Sequence, residues 1–253
     1  MKPHGGDFDY DAHGQGYAAI RRPDPRIEAQ IHAALGDART VLNVGAGAGS
    51  YEPADRHVIA IEPWAAMRAQ RGPGRVPAIA AFAEALPLDD GAVDAAMAIM
   101  TAHQWSDLAK GLAELRRVSA GPVVVTAADP SALGRFWLND YAPELFAAKQ
   151  RRYPSLEAIV RGVGATAEVQ AILIPLDCTD GLASAFYGRP EGLLDPAVRA
   201  AQSSWRFLPD GVEQRFVTTL SADLASGRWD DLYGHLRTQP WLEGALRLVV
   251  GWP

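Results

Sequence analysis

From residue 24 to about 130, short apolar runs alternate with segments whose apolar positions recur every three or four residues. Runs of that kind read as buried strands, and the three-to-four spacing reads as helices packed on one face. Asp24-Pro25 opens the first helix, with Asp as N-cap and Pro in the first turn. Ile27, Ile31, Ala34 and Leu35 share its inner face, and Gly36 closes it. Strands are predicted at 40–45, 57–62, 76–80, 92–99 and 121–127, with helices over 64–71 and 106–118. Pro53 leaves room for only a very short helix after the first strand. Strands alternating with helices give a parallel sheet with right-handed crossovers.

Beyond residue 130 the pattern changes. Residues 131–162 read as helices in which Phe136, Trp137, Tyr141, Leu145 and Phe146 pack, and Ala167–Leu176 reads as a sixth strand. Ala245–Gly251 reads as a seventh. Between them, residues 178–240 hold aromatics such as Phe186, Trp205 and Trp229, and helix starts such as Asp195-Pro196. They are expected to form a helical lid or substrate-recognition insertion. Residues 1–16 show no periodicity and read as a flexible arm. The expected organisation is an arm or lid over 1–23, an α/β core over 24–177, a helical insertion over 178–240 and a C-terminal strand over 241–253 that completes the sheet.

The densest chemistry lies in Val41-Leu42-Asn43-Val44-Gly45-Ala46-Gly47-Ala48-Gly49-Ser50, where an apolar strand runs into a loop with glycine at every second position. Seventeen residues after Gly45, Glu62 ends the next apolar run. Glycines let a backbone turn tightly and approach a ligand without a Cβ in the way. An acid at the second strand tip can accept the hydroxyls of a ribose. Together they describe a nucleoside pocket. The dinucleotide fingerprint G-x-G-x-x-G would need its third glycine at position 50, where Ser50 stands. Glycines at 45, 47 and 49 favour a different nucleoside, with a nicotinamide enzyme as the competing reading.

Further motifs lie around that loop. Ala83-Glu84-Ala85-Leu86-Pro87-Leu88, followed by Asp89-Asp90-Gly91-Ala92-Val93-Asp94, resembles the AEALPF-D-S-FD block of class I S-adenosylmethionine (SAM) dependent methyltransferases. Tyr17 to Pro23 resembles the Y-x-x-x-R-P segment of their small-molecule branch, and Glu62-Pro63, with Met67 behind it, resembles the turn after their second strand. The resemblance covers roughly residues 10–130. It implies a Rossmann-like, seven-stranded methyltransferase sheet with helices on both faces, SAM as cofactor and S-adenosylhomocysteine as product.

By the same resemblance, Gly45, Ala46, Gly47 and Gly49 would line the methionyl and ribose parts of SAM. Glu62, with Pro63, would hold the ribose, and Ala83 and Glu84 would border the adenine. Tyr17 and Arg22 would close over the cofactor, Arg22 pairing its carboxylate. Met100 and His103 fall in the loop that borders the transferred methyl group in the family. His103 is the candidate base, since an imidazole titrates near neutral pH; a hydrogen-bonded structural histidine is the alternative. Gln104 stands where related sequences carry a second His. Trp64 replaces a small residue and either stacks on the adenine or crowds the pocket. Val93 replaces a Phe.

Composition limits the partners. Net charge is −6 over 253 residues, and the basic residues form no cluster larger than the pairs Arg116-Arg117 and Arg151-Arg152, so a nucleic-acid footprint is not expected. No run is long enough to span a membrane, and Met1–Gly6 lacks the apolar segment of a signal peptide. The single cysteine, Cys178, forms no internal disulfide. His4, His13, His32, His57 and His235 share no metal-ligand spacing, so no metal is expected. The expectation is a cytoplasmic enzyme, a monomer or homodimer, that methylates a small, apolar or cyclic metabolite of specialised metabolism. A SAM-binding fold turned to cyclisation or elimination, or to service as a non-catalytic subunit, is the alternative.

Overall fold

The computed structural model describes residues 6–253. Two one-turn helices, α1 (Tyr10–His13) and α2 (Tyr17–Ile20), precede α3 (Pro25–Ala34). The core follows as β1 (Thr40–Val44), β2 (His57–Ile61), α4 (Ala65–Arg68), β3 (Ala78–Ile79), β4 (Ala95–Ile99), α5 (Leu108–Val118) and β5 (Val123–Ala128). Next come α6 (Leu138–Tyr141), α7 (Pro143–Arg152), α8 (Leu156–Val163) and β6 (Thr166–Pro175). The chain ends with α9 (Pro196–Ala200), α10 (Val212–Ser226), α11 (Arg228–Tyr233) and β7 (Trp241–Trp252).

The seven strands form one sheet in the order β3-β2-β1-β4-β5-β7-β6. β1 to β5 are parallel, and β7 runs antiparallel between β5 and β6. Successive residues of a strand point to opposite faces, and the apolar runs sort accordingly. Leu42, Val44, Ala96, Ala98, Val123 and Val125 meet α5 and α8 on one face. Val41, Ala95, Met97, Val124, Leu248 and Val250 meet α3 on the other. Asp24 caps α3 as expected, its Oδ1 accepting from the Arg26 N–H over 2.9 Å. Asp94, at the foot of β4, accepts from the backbone N–H groups of Arg39 and Thr40 and so clips β4 to β1. Val93 is fully packed despite its modest volume.

Several elements differ from expectation. No helix follows the glycine loop: residues 45–56 are turns and bends. Tyr51 adopts φ +63° and Gly49 φ +93°, which no right-handed helix accommodates. α4 stops at Arg68, ahead of Gly72-Pro73-Gly74. β3 is two residues long, because Pro77 before it has no N–H to donate. β7 starts four residues earlier than predicted, at Trp241.

The arm beyond its first five residues, which lie outside the described residues, is ordered against the core. Phe8 is buried, with its ring edge-on to Tyr10 at 4.6 Å between centroids. Asp11 accepts from the Ala66 N–H over 2.8 Å. Gln70 takes hold of both ends of the next turn: its amide donates to the Gly14 carbonyl and accepts from the Ala18 N–H. Residues 6–16 are therefore a strap rather than a free tail.

The insertion folds as α9, the 15-residue α10 and α11, joined by 3₁₀ turns, over an apolar interior of its own. That interior combines Trp205, Phe216, Leu220 and Trp229 from the insertion with Trp137, Leu138, Tyr141 and Leu145 from α6, α7 and their approach. One cap is thus made from two stretches of sequence, and it sits over the carboxyl ends of β4 and β5 and the amino end of the antiparallel β7.

Candidate active site

In an open α/β sheet the crevice for ligands forms where strand order reverses, here between β1 and β4. The glycine loop emerges at that point. Gly45 (φ +69°) and Gly47 (φ +51°) use the left-handed region, and a Cβ on Gly45 would collide with the Thr101 side chain. The loop is braced from behind by a buried pair, Arg71 Nη2 to both Glu52 oxygens at 2.8 and 2.9 Å. Asn43 Nδ2 donates to the same carboxylate over 3.1 Å.

That bond fixes the Asn43 amide. A carboxylate only accepts, so nitrogen must face Glu52 and Oδ1 must face away. Oδ1 is buried, Asn43 lines the cleft, and the oxygen has no hydrogen-bond partner among the described residues. Glu62 projects into the same cleft. Its two oxygens accept the N–H groups of Gly47 (2.8 Å) and Trp64 (2.9 Å), which leaves each with a free lone pair. Burial raises the pKa of this carboxyl despite those two bonds.

Tyr17, Gly45, Ala46, Gly47, Glu62, Pro63, Trp64, Ala83, Glu84 and Met100 line this one cleft, whose empty space is about 920 Å³ including its mouth. Gly49 shapes the loop without lining the cleft. Arg22 does not enter it: its side chain is exposed, and Arg21 takes the position instead. Tyr17 and Arg21 are four residues apart, one helical turn, and so share a face that Arg22 does not. Arg21 pairs with Asp180 through Nε at 2.5 Å and Nη2 at 3.2 Å, reaches the Tyr17 hydroxyl through Nη1 at 3.1 Å, and shares Nη2 with the Met100 sulfur at 3.1 Å. Tyr51 donates to the same Asp180 over 2.8 Å.

Glu84 is committed elsewhere. Its Oε1 accepts from Ser106 N, Ser106 Oγ and Asp107 N, so the carboxylate orders the turn into α5 while Ala83 and its neighbours form the cleft wall. Trp64 stands at the rim, 6.4 Å from Tyr10 between ring centroids, and forms a wall shared with the strap.

Met100 has φ +55°, a left-handed conformation that costs an unbranched non-glycine residue roughly 1–2 kcal/mol. Two bonds from its N–H, to the Thr126 carbonyl and hydroxyl, hold it there. The strained backbone puts the thioether on the border between the cleft and a second cavity, of about 1290 Å³ including its mouth, under the cap. Tyr10, Tyr17, Arg21 and Met100 line both spaces. His103 lines only the second. Burial and the Arg152, Arg21 and Lys149 cations pull its pKa down to about 3, against Asp7.

Tyr10, Arg21, Asn43, Tyr51 and Asp180 escaped the reading of the sequence. Three of the five, Tyr10, Tyr51 and Asp180, stand outside any motif, and only the three-dimensional approach of residue 180 to residue 21 brings the network together. Among the described residues, no three His, Cys, Asp or Glu side chains group to hold a metal.

Comparison with known proteins agrees with this geometry. Residues 42–125 match the methyltransferase domain family. A solved protein from Anabaena variabilis, described as a methyltransferase of an antibiotic biosynthesis pathway, is 30% identical over 91% of this chain and 98% of its own, with a TM-score of 0.84. The chain belongs to the class I SAM-dependent methyltransferases. SAM is the cofactor of these proteins, and the seven-stranded sheet is theirs. Two more distant structures share the fold. One is a SAM-dependent methyltransferase from Thermotoga maritima, with 17% identity, 96% and 92% coverage and a TM-score of 0.53. The other is a [4+2]-cyclase, with 17% identity, 95% and 92% coverage and a TM-score of 0.51. Among curated proteins, none matches.

Proposed function

We propose that the protein transfers the methyl group of SAM to a small, mainly apolar acceptor held under the cap. The observation that carries this reading is the common wall of the two spaces. A nucleoside cleft and an apolar cavity meet at Tyr10, Tyr17, Arg21 and Met100, so ligands in each would lie side by side with water excluded between them.

The donor set of the cleft fits SAM. Glu62 has one lone pair left on each oxygen for the ribose hydroxyls. The orphaned Asn43 Oδ1 suits an ammonium donor, and Arg21 suits a carboxylate, since its sulfur partner is a weak acceptor. Ala83 and Trp64 bound the flat end. Bound SAM supplies a methyl group already activated on a sulfonium. The chain's own part is then to align acceptor and donor and to keep water out, and positioning can lower a barrier by up to ~7–11 kcal/mol. His103, neutral at physiological pH, hydrogen-bonds rather than strips protons. The relatedness to a protein of antibiotic biosynthesis supports an acceptor from specialised metabolism.

A melt of the purified protein with SAM, S-adenosylhomocysteine or NAD tests the cofactor half. A ligand at about 100 times its Kd stabilises by ~2.7 kcal/mol, which for this size is a shift of roughly 5–10 °C. Shifts are expected with SAM and S-adenosylhomocysteine, not with NAD, and Glu62→Ala should abolish them. No shift would overturn the reading. Appearance of S-adenosylhomocysteine on addition of acceptor separates methyl transfer from a cyclisation carried out on the same fold, the second reading for which the cyclase neighbour speaks.

A further inference from the structure

The cavity under the cap has a charge that its apolar lining does not require. Leu138, Leu145 and Phe146 supply much of the wall, yet Lys149 and Arg135 also line it. Lys149 lies in the last turn of α7, three residues past Phe146, and is half-buried. Among the described residues neither cation has a carboxylate partner or a side-chain hydrogen bond. The nearby acids are taken: Glu144 pairs with Arg215 at 2.6 Å, and Asp7 with Arg152 at 2.7 Å. Glu243, the one acid of the lining, is exposed and lies 3.8 Å from Arg247. Arg21, the remaining cation of the wall, is neutralised by Asp180.

An unmatched ammonium facing an apolar cavity is unfavourable unless something anionic joins it there. It is more telling in a chain of net charge −6, where chance would place an acid beside it. Lys149 also acts on the interior, since its charge is among those that hold His103 neutral. Arg135, exposed at the mouth, would draw an anion inward.

We infer that the acceptor is an apolar acid, with a hydrophobic body lying against Leu138, Leu145 and Phe146 and one anionic group of the carboxylate class paired with Lys149. This deepens the proposed function and rests on it. It places the charged end of the acceptor on the α7 side of the cavity and leaves the opposite end free to reach Met100 and the cofactor cleft. Neutral hydrocarbons and cationic amines of the same size would be rejected, the latter by repulsion from Lys149.

Two probes of matched shape test the inference without knowledge of the acceptor. 8-Anilinonaphthalene-1-sulfonate is an apolar anion, and N-phenyl-1-naphthylamine is its uncharged counterpart. Their Kd values would be measured by fluorescence on the full chain saturated with S-adenosylhomocysteine, and on Lys149→Gln after a melt shows it folded. The anion is expected to bind about tenfold tighter than the neutral probe, the worth of one charge-assisted contact. Lys149→Gln should bring the two to near parity by weakening the anion alone. Equal affinities in the unaltered protein, a preference that survives Lys149→Gln, or no binding of either probe would overturn the inference. The two readings fail separately. A shift in melting with S-adenosylhomocysteine but no charge preference removes only the acid. A charge preference in a protein that ignores SAM, measured then on the chain alone, removes only methyl transfer.

Discussion

The imidazole of His103 is held between the Tyr153 ring, 4.7 Å away between centroids, and the Gln104 amide, 2.9 Å from Nε2. Arg152 reaches toward Gln104 Oε1, and because a guanidinium only donates, the amide nitrogen faces the histidine. Nε2 therefore accepts and the proton sits on Nδ1. A ring that is neutral down to about pH 3 when folded but titrates near 6.5 when unfolded leaves the unfolded chain with more bound protons across that interval. Stability from His103 is thus complete above about pH 6.5 and is lost as pH falls below it. His103→Asn should melt with a shallower dependence on pH between about 5 and 7 than the unaltered protein. Its rate profile should keep the same shape near neutrality, since the imidazole does not titrate there. Parallel melting curves would show that the ring is solvated instead. At this scale the sequence told residue types well and roles unevenly. Glu62 could be read from its place at a strand tip, whereas Arg21 needed the helical phase of α2 and the acid at position 180, which no local spacing reveals.

At the scale of elements, the strap over residues 6–16 depends on few contacts, and each comes from a distant part of the chain. Arg152 is the main one. Its guanidinium pairs with Asp7 at 2.7 Å, lies 3.9 Å from the Phe207 ring centroid and bonds Ser204 and Gln104. One residue therefore ties the strap, the cap and the loop after β4 together, and Tyr10 and Tyr17 at the common wall lie directly behind it. Arg152→Met keeps bulk but removes the pairing. Because Asp7 is about half exposed, the ion pair itself contributes no more than ~1 kcal/mol, so global melting should fall only slightly. Hydrogen exchange at residues 7–13 should quicken markedly, and SAM should bind several-fold more weakly, chiefly by leaving faster. Unchanged exchange would mean that Phe8 alone anchors the strap. The sequence hides this element because its order is tertiary: one buried Phe and three hydrogen-bonding side chains make no period. β3 and the missing helix after Gly49 were hidden differently, since Pro77 and two left-handed residues act through backbone geometry that hydrophobic patterning does not carry.

For the whole molecule, the decisive piece is the last one made. β7 inserts between β5 and β6 and gives backbone hydrogen bonds to both, from Val123↔Gly251 to Pro175↔Trp241. It also carries Leu248, Val249 and Val250 into the two core layers. Periodicity announced seven strands but not their order, because a hydrophobic run says that a strand is buried and not which neighbours bury it. The insertion separates β6 from β7 by more than sixty residues, so this pairing closes a long loop and must come late. Without β7, β5 and β6 would each lose a ladder partner, and neither could reach the other across the gap. The cap would lose the floor of its cavity too, since Leu242 and Leu246 belong to it. Deleting residues 241–253 should therefore abolish cooperative melting and near-ultraviolet dichroism rather than lower the melting temperature, although the glycine loop, Glu62 and Arg21 all remain in the chain. The cofactor shift should vanish with it. A truncated chain that still melted in one step and still responded to SAM would show that β1 to β5 form a self-sufficient nucleoside-binding unit to which the last hairpin is merely added.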